Sequence, residues 1–186
     1  MRKLLAILFI LGIQPGFSQV LKIGEAKFKT GDNPAWSQAG FDDSQWVTLK
    51  TNLIWEEQGF SEYNGYAWYR IHVRIPSSLK TQSFWKDTLR IYLAKIDDAD
   101  EVYLNGVLIG KKGSLPFQSS VYVSAWDTER EYHVSTGLPA IKWDADNILA
   151  VRVYDGGGGG GLFGGIPSIS MMDLVDGIKQ IGRAHV

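Results

Sequence analysis

Asp155 stands at the end of an apolar run, Asn147-Ile148-Leu149-Ala150-Val151-Arg152-Val153-Tyr154, and six glycines, Gly156 to Gly161, follow it. Six consecutive glycines lose much conformational entropy on ordering. They belong where backbone passes close to something, or in a loop that stays mobile. A carboxylate beside bare backbone can accept hydrogen bonds from hydroxyl groups in a shallow cleft. That chemistry suits a sugar better than a phosphate, because no lysine or helix N-terminus accompanies it. The candidate contacts are Asp155, Gly156, Gly157 and Arg152, the arginine serving to orient a carboxylate.

A second acidic group, Asp97, Asp98, Asp100 and Glu101, precedes an Asn105-Gly106 pair. Carboxylates at this density could hold calcium. The favoured reading is a turn, with aspartates bonding nearby backbone N–H groups and one carboxylate pairing with Arg70 or Arg152. No cofactor is expected, and a cation near Asp155 or near Asp97, Asp98 and Asp100 is the weaker alternative. Among the aromatics, Trp55, Tyr63, Tyr66, Trp68, Trp126 and Trp143 could supply a platform for a sugar ring, although aromatics in all-β domains more often pack inside. Trp55 and Tyr63 are the preferred platform residues, because they fall in the loop before a strand. His72, His133 and His185 are scattered without metal-ligand spacing, and His72 is expected at the surface. No nucleophile motif is present, and no spacing fixes two carboxylates for glycoside hydrolysis. The domain alone is therefore not expected to be catalytic.

The elements that position these groups are short strands. Tyr66 to Ile75 alternates, with Ala67, Tyr69, Ile71, Val73 and Ile75 on one face and Tyr66, Trp68, Arg70, His72 and Arg74 on the other. Pro76 ends it. Leu89 to Ile96 reads as a strand burying Leu89, Ile91 and Leu93. Glu101 to Leu104 and Val107 to Gly110 flank Asn105-Gly106, the preferred pair for a two-residue type I′ turn. Further strands are expected at Glu131 to Val134, Asn147 to Tyr154 and Ile166 to Met171, with a turn at Trp143 to Asp146. Short strands at this spacing predict an all-β jelly-roll β-sandwich.

Composition narrows the setting. The 186 residues carry 19 basic and 20 acidic side chains, so a nucleic acid or an anionic membrane surface is not an expected partner. The absence of cysteine excludes a disulfide framework and thiolate chemistry. Residues 1–18 read as a secretory signal peptide: Arg2 and Lys3, then apolar Leu4 to Ile13, then a small-x-small site at Gly16-Phe17-Ser18. The mature domain, residues 19–176, is expected to be secreted or periplasmic in a bacterial cell envelope, without membrane insertion. Ile181 to Val186 matches the translation of a widely used sequencing adapter, and Gln180 fits the preceding codon. The reading frame is thus expected to be truncated near Gln180, leaving His185 without chemistry.

Three motifs in order carry a family resemblance. Trp68-Tyr69-Arg70 with Pro76, Ile96-Asp97-Asp98-Ala99-Asp100-Glu101-Val102-Tyr103-Leu104-Asn105-Gly106, and Asn147 to Asp155 with its glycines are similar to the galactose-binding-like jelly roll of family 2 glycoside hydrolases. Related modules occur in bacterial sialate O-acetylesterases and ahead of membrane segments in sensor proteins. The resemblance spans about Trp36 to Ile169. It implies a non-catalytic, carbohydrate-binding accessory domain whose downstream catalytic domain, a barrel with two glutamates, is missing from this chain. In the family's β-galactosidases an Asp after the strand matching Val151 to Tyr154 approaches galactose hydroxyls and a monovalent cation, which implies such a place for Asp155. The pure glycine run departs from that pattern. The alternative is a periplasmic ligand-sensing input domain of a membrane signalling protein.

Overall fold

The computed structural model describes residues 19–82, 87–116, 122–172 and 178. The expected signal segment, the adapter-like residues 181–186 with His185, and residues 173–176 at the domain's end lie outside them. Eleven strands are named: β1 (Leu21–Lys22), β2 (Glu25–Thr30), β3 (Val47–Lys50), β4 (Gly65–Arg74), β5 (Thr88–Asp97), β6 (Ala99–Leu104), β7 (Val107–Lys112), β8 (Glu129–Ser135), β9 (Asp146–Asp155), β10 (Gly161–Phe163) and β11 (Ser168–Met171). They form two antiparallel sheets. One runs β3-β2-β4-β9-β6-β7; the other runs β1-β11-β5-β10, with β8 on the far side of β5. The all-β sandwich is as the strand pattern predicts.

Period-two alternation builds the core. Ala67, Tyr69 and Ile71 of β4 and Leu149, Val151 and Val153 of β9 face Leu89, Ile91 and Leu93 of β5 across the sandwich. The β6–β7 hairpin turns at Asn105 (φ 49°) and Gly106 (φ 88°), both positive as a type I′ turn requires. Strands β1, β2, β3 and β10 lie outside the sequence reading. Each is short or paired so that tertiary packing, not its own pattern, selects it. Among the described residues no helix is long and apolar enough to cross a membrane.

The outer face of β4 differs from a solvated strand face. Trp68 and Arg70 are fully buried, because the segment between β2 and β3 folds over them. Trp36 and Trp46 from that segment pack against Trp68, Ile148 and Ala150 as a second, smaller core. Arg70 anchors the segment. Its Nε donates to Asp43 at 2.7 Å, and its remaining N–H groups donate to the carbonyls of Trp36, Gln38 (2.9 Å) and Phe41 (3.1 Å). His72, half exposed, places Nε2 2.8 Å from the same Asp43 carboxylate.

Candidate functional site

The chain crosses from one sheet to the other at Asp97-Asp98, between β5 and β6, and the glycine run after β9 curls around this crossing. Gly161 of β10 pairs with Asp97. At the other end of the run, the Gly156 N–H donates to Asp98 Oδ2 at 2.8 Å, and the Asp98 N–H donates to the Tyr154 carbonyl at 2.7 Å. Asp155 turns its Oδ1 onto the Gly157 N–H at 2.7 Å. Three carboxylates, those of Asp97, Asp98 and Asp155, thereby converge, with one oxygen from each within 4.8 Å of the others.

The run itself is a close-approach segment. The Trp55 N–H donates to the Gly160 carbonyl at 3.0 Å, and the Gly160 N–H donates to Glu56 at 3.0 Å. A Cβ at Gly160 would stand 2.1 Å from the Trp55 ring; one at Gly161, where φ is +96°, would stand 2.2 Å from the Tyr69 hydroxyl. Glycine is required at both positions because backbone lies directly on aromatic side chains.

Electrostatics divide the three acids. Burial and a hydrogen bond to Asp98 push the Asp97 carboxyl up to about 8. Asp98 stays below the usual carboxylate range: burial opposes its charge, but hydrogen bonds from Ser124, Tyr122, Asp97 and the Gly156 N–H outweigh it. Asp155 is raised, chiefly by burial and only partly offset by Gly157. Its Oδ2 is buried without a hydrogen-bond partner, an arrangement that calls for a proton or a cation nearby. Among the described residues these three could hold a metal ion, and their hard oxygens would suit sodium, calcium or magnesium.

On the other side of Asp98 lies the segment before β8. The Ser124 hydroxyl donates to Asp98 Oδ1, and the Ala125 N–H donates to the Asp98 carbonyl at 2.9 Å. Arg130, fully buried on β8, holds this segment in place. Its Nε donates to Asp100 at 2.7 Å and its Nη2 to the Asp98 carbonyl at 2.9 Å, while its Nη1 donates to the Ala125 and Thr128 carbonyls.

The sequence-predicted residues separate in this arrangement. Asp155, Gly156 and Gly157 come together, but Asp155 has no solvent-exposed surface. It sits beneath the site and does not line an open cleft. Arg152 does not join it, because residues three apart on a strand face opposite ways. Its guanidinium instead binds Asp32 through two nitrogens, at 2.8 and 2.5 Å, and Glu101 at 3.0 Å on the outer face. Trp55 is fully buried between Phe28 and Tyr63, with its indole N–H on the Tyr63 carbonyl. The Tyr63 hydroxyl donates to the Tyr66 carbonyl and accepts from the Gly31 N–H. Trp55 is therefore a core residue and not an exposed platform, and the half-buried Tyr63 packs against the core with its hydroxyl engaged. In the acidic group only Asp97 and Asp98 face Asp155. Asp100 pairs with Arg130, and Glu101 pairs with Arg152 as the turn reading allowed. Of the segment Tyr122–Trp126 the sequence reading named only Trp126, as one of six possible platform aromatics, and it missed Tyr122 and Ser124, whose signal in sequence is an aromatic and a serine just before a strand.

No family model matches the chain. A curated β-galactosidase of Bacteroides ovatus is 32% identical over 143 residues, which is 68% of this chain and 14% of that enzyme. The chain thus spans about a seventh of the length of the curated relative it matches. Among solved structures, a β-glucuronidase of Bacteroides uniformis superposes with a TM-score of 0.63 at 21% identity, over 83% of this chain and 18% of that one. The chain resembles a domain of family 2 glycoside hydrolases. A glycosyl hydrolase family 2 member from Bacteroides cellulosilyticus (TM-score 0.61, 19% identity, 83% of this chain, 21% of that one) has the same fold. So does a Ruminococcus gnavus β-glucuronidase (0.59, 14%, 86% and 30%). At these identities the solved structures establish the fold. A share of one seventh to about a third of each relative is that of an accessory domain of a glycoside hydrolase.

Proposed function

We propose that this chain is the non-catalytic, carbohydrate-binding accessory domain of a secreted or periplasmic glycoside hydrolase of the family 2, β-galactosidase type. Its catalytic groups would belong to a downstream domain outside this chain. The observation that carries the reading is the match to a β-galactosidase over most of this chain and little of that enzyme. The acidic site supports it: carboxylate oxygens of Asp97 and Asp98 gather at a turn whose glycines carry no side chains, and such oxygens accept hydrogen bonds from hydroxyl-rich ligands. Asp155 acts from beneath, fixing the turn at Gly157 and adding negative charge to Asp98.

Isothermal titration of the full chain with soluble oligosaccharides, β-galactosides among them, tests the binding claim. Saturable heat is expected with wild type, and an Asp155→Asn variant should bind more weakly while melting no lower. Asparagine keeps the acceptor for the Gly157 N–H and removes a buried charge. Absence of saturable heat with every saccharide would overturn carbohydrate binding. Source sequence downstream of codon 180 that lacks a hydrolase domain would overturn the parentage.

A further inference from the structure

The segment that Arg130 ties to Asp98 carries an aromatic side chain that no core explains. Trp126 is 53% exposed and Tyr122 38% exposed. Backbone hydrogen bonds tie the residues between them. The Ser114 N–H donates to the Val123 carbonyl and the Thr128 N–H to the Ala125 carbonyl, each at 2.9 Å. The Trp126 N–H lies 3.4 Å from the Ser124 hydroxyl, which itself bonds Asp98. A short path of hydrogen bonds therefore joins Trp126 to the glycine turn: Ser124, then Asp98, then Gly156.

A large aromatic has only two side-chain torsions to fix, so it loses little entropy when a flat partner covers it. The apolar C–H face of a pyranose is such a partner, and its hydroxyls would meet carboxylate and serine oxygens at the platform's edge. Local charge selects among sugars. Asp98 carries the charge at this edge, its carboxylate held by Ser124 and the Gly156 N–H, and among the described residues the nearby arginines are engaged elsewhere, Arg130 by Asp100 and Arg152 by Asp32 and Glu101. An anionic sugar would meet this negative field at close range.

We infer that Trp126 is a stacking platform for a neutral pyranose ring whose hydroxyls reach the Ser124–Asp98 edge, and that uronic and other acidic sugars are excluded there. This rests on the carbohydrate-binding reading above. It moves the platform from Trp55 and Tyr63 to a segment on the other side of Asp98.

Affinity electrophoresis of the full chain tests it, in gels containing a neutral galactan or, separately, polygalacturonate. Wild type should be retarded by the neutral polymer and not by the acidic one. Trp126→Ala should weaken retardation at least tenfold with an unchanged melting temperature, and Trp126→Phe should restore part of it. Full retardation of Trp126→Ala in galactan would overturn the platform and leave carbohydrate binding standing. Stronger retardation by polygalacturonate would overturn the neutral-ligand assignment. No retardation of wild type by either polymer, joined to a null titration, would overturn the underlying reading together with this inference.

Discussion

Two buried arginines do the same mechanical task in this sandwich and leave opposite surfaces behind. Arg70 binds Asp43 and three carbonyls of the segment between β2 and β3; Arg130 binds Asp100, the Ala125 and Thr128 carbonyls just before β8, and the Asp98 carbonyl between β5 and β6. Each replaces the strand-to-strand hydrogen bonds an irregular segment lacks with guanidinium donors in a fixed fork. The segment under Arg70 buries its tryptophans, Trp36 at 8% exposure and Trp46 at 6%. The segment under Arg130 leaves Trp126 outward. An arginine anchor therefore does not dictate where an aromatic goes, and a rigid segment with an outward tryptophan points to a ligand where its counterpart points to a core.

The largest effect that probes this comparison is removal of either anchor. Arg130→Met should lower unfolding free energy by about 3–5 kcal/mol in urea denaturation, because it leaves the Asp100 carboxylate buried without its partner. Arg70→Met should cost less, since Asp43 retains His72 and some exposure. Adding Asp100→Asn to Arg130→Met should recover part of the loss. Failure to recover would mean the carbonyl bonds of Arg130 carry most of its effect.

Next comes the tryptophan contrast. Trp36→Ala should cost about 3 kcal/mol, the usual scale for emptying a packed aromatic site. A cost near that of an ordinary surface change would show that the small core under Arg70 adds little.

A smaller effect concerns pH, and on the Arg130 side it comes from Asp97. Unfolded Asp97 ionises near pH 4, by the usual aspartate value, whereas in the fold it holds its proton to about 8. Between these values the folded chain binds more protons than the unfolded chain, so stability falls as pH rises through that window and levels off above it. Asp155, also raised, works in the same sense. The melting temperature should drop by about 2–4 °C for each kcal/mol so lost between pH 5 and 8. Asp97→Asn should flatten the drop, and an unchanged slope would show that another group sets it.

The smallest expected effect is Trp126→Ala on stability, within about 0.5 kcal/mol in the same urea assay, as for an exposed position. A loss comparable to that of Trp36→Ala would make the two tryptophans equivalent and erase the contrast.

Local signals in the chain carried far but not into the site. Alternation along 66–75, the Asn105-Gly106 turn and the apolar run ending at Asp155 each have a periodicity or a backbone requirement that neighbouring residues alone impose, so β4, the β6–β7 hairpin and β9 were legible. The glycine run left two readings open, close approach or mobility, and only Trp55 lying on Gly160 decided between them. The choice of Trp55 as an exposed platform fails for the same reason: a loop position says nothing about what packs over it. That Arg152 and Asp155 point to opposite faces was readable from strand periodicity. That Asp97 and Asp98 meet Asp155, 57 or more positions along the chain, was not, because the meeting depends on β5 and β6 belonging to different sheets.

By itself, then, the sequence determined that this chain is an all-β sandwich with acidic and glycine-rich turns, since strand alternation and turn conformations are local properties. Only the tertiary structure decided which carboxylates converge, which arginines they release or occupy, and which tryptophan remains outside. Burial and charge pairing are properties of contacts between distant segments, and no residue carries them alone.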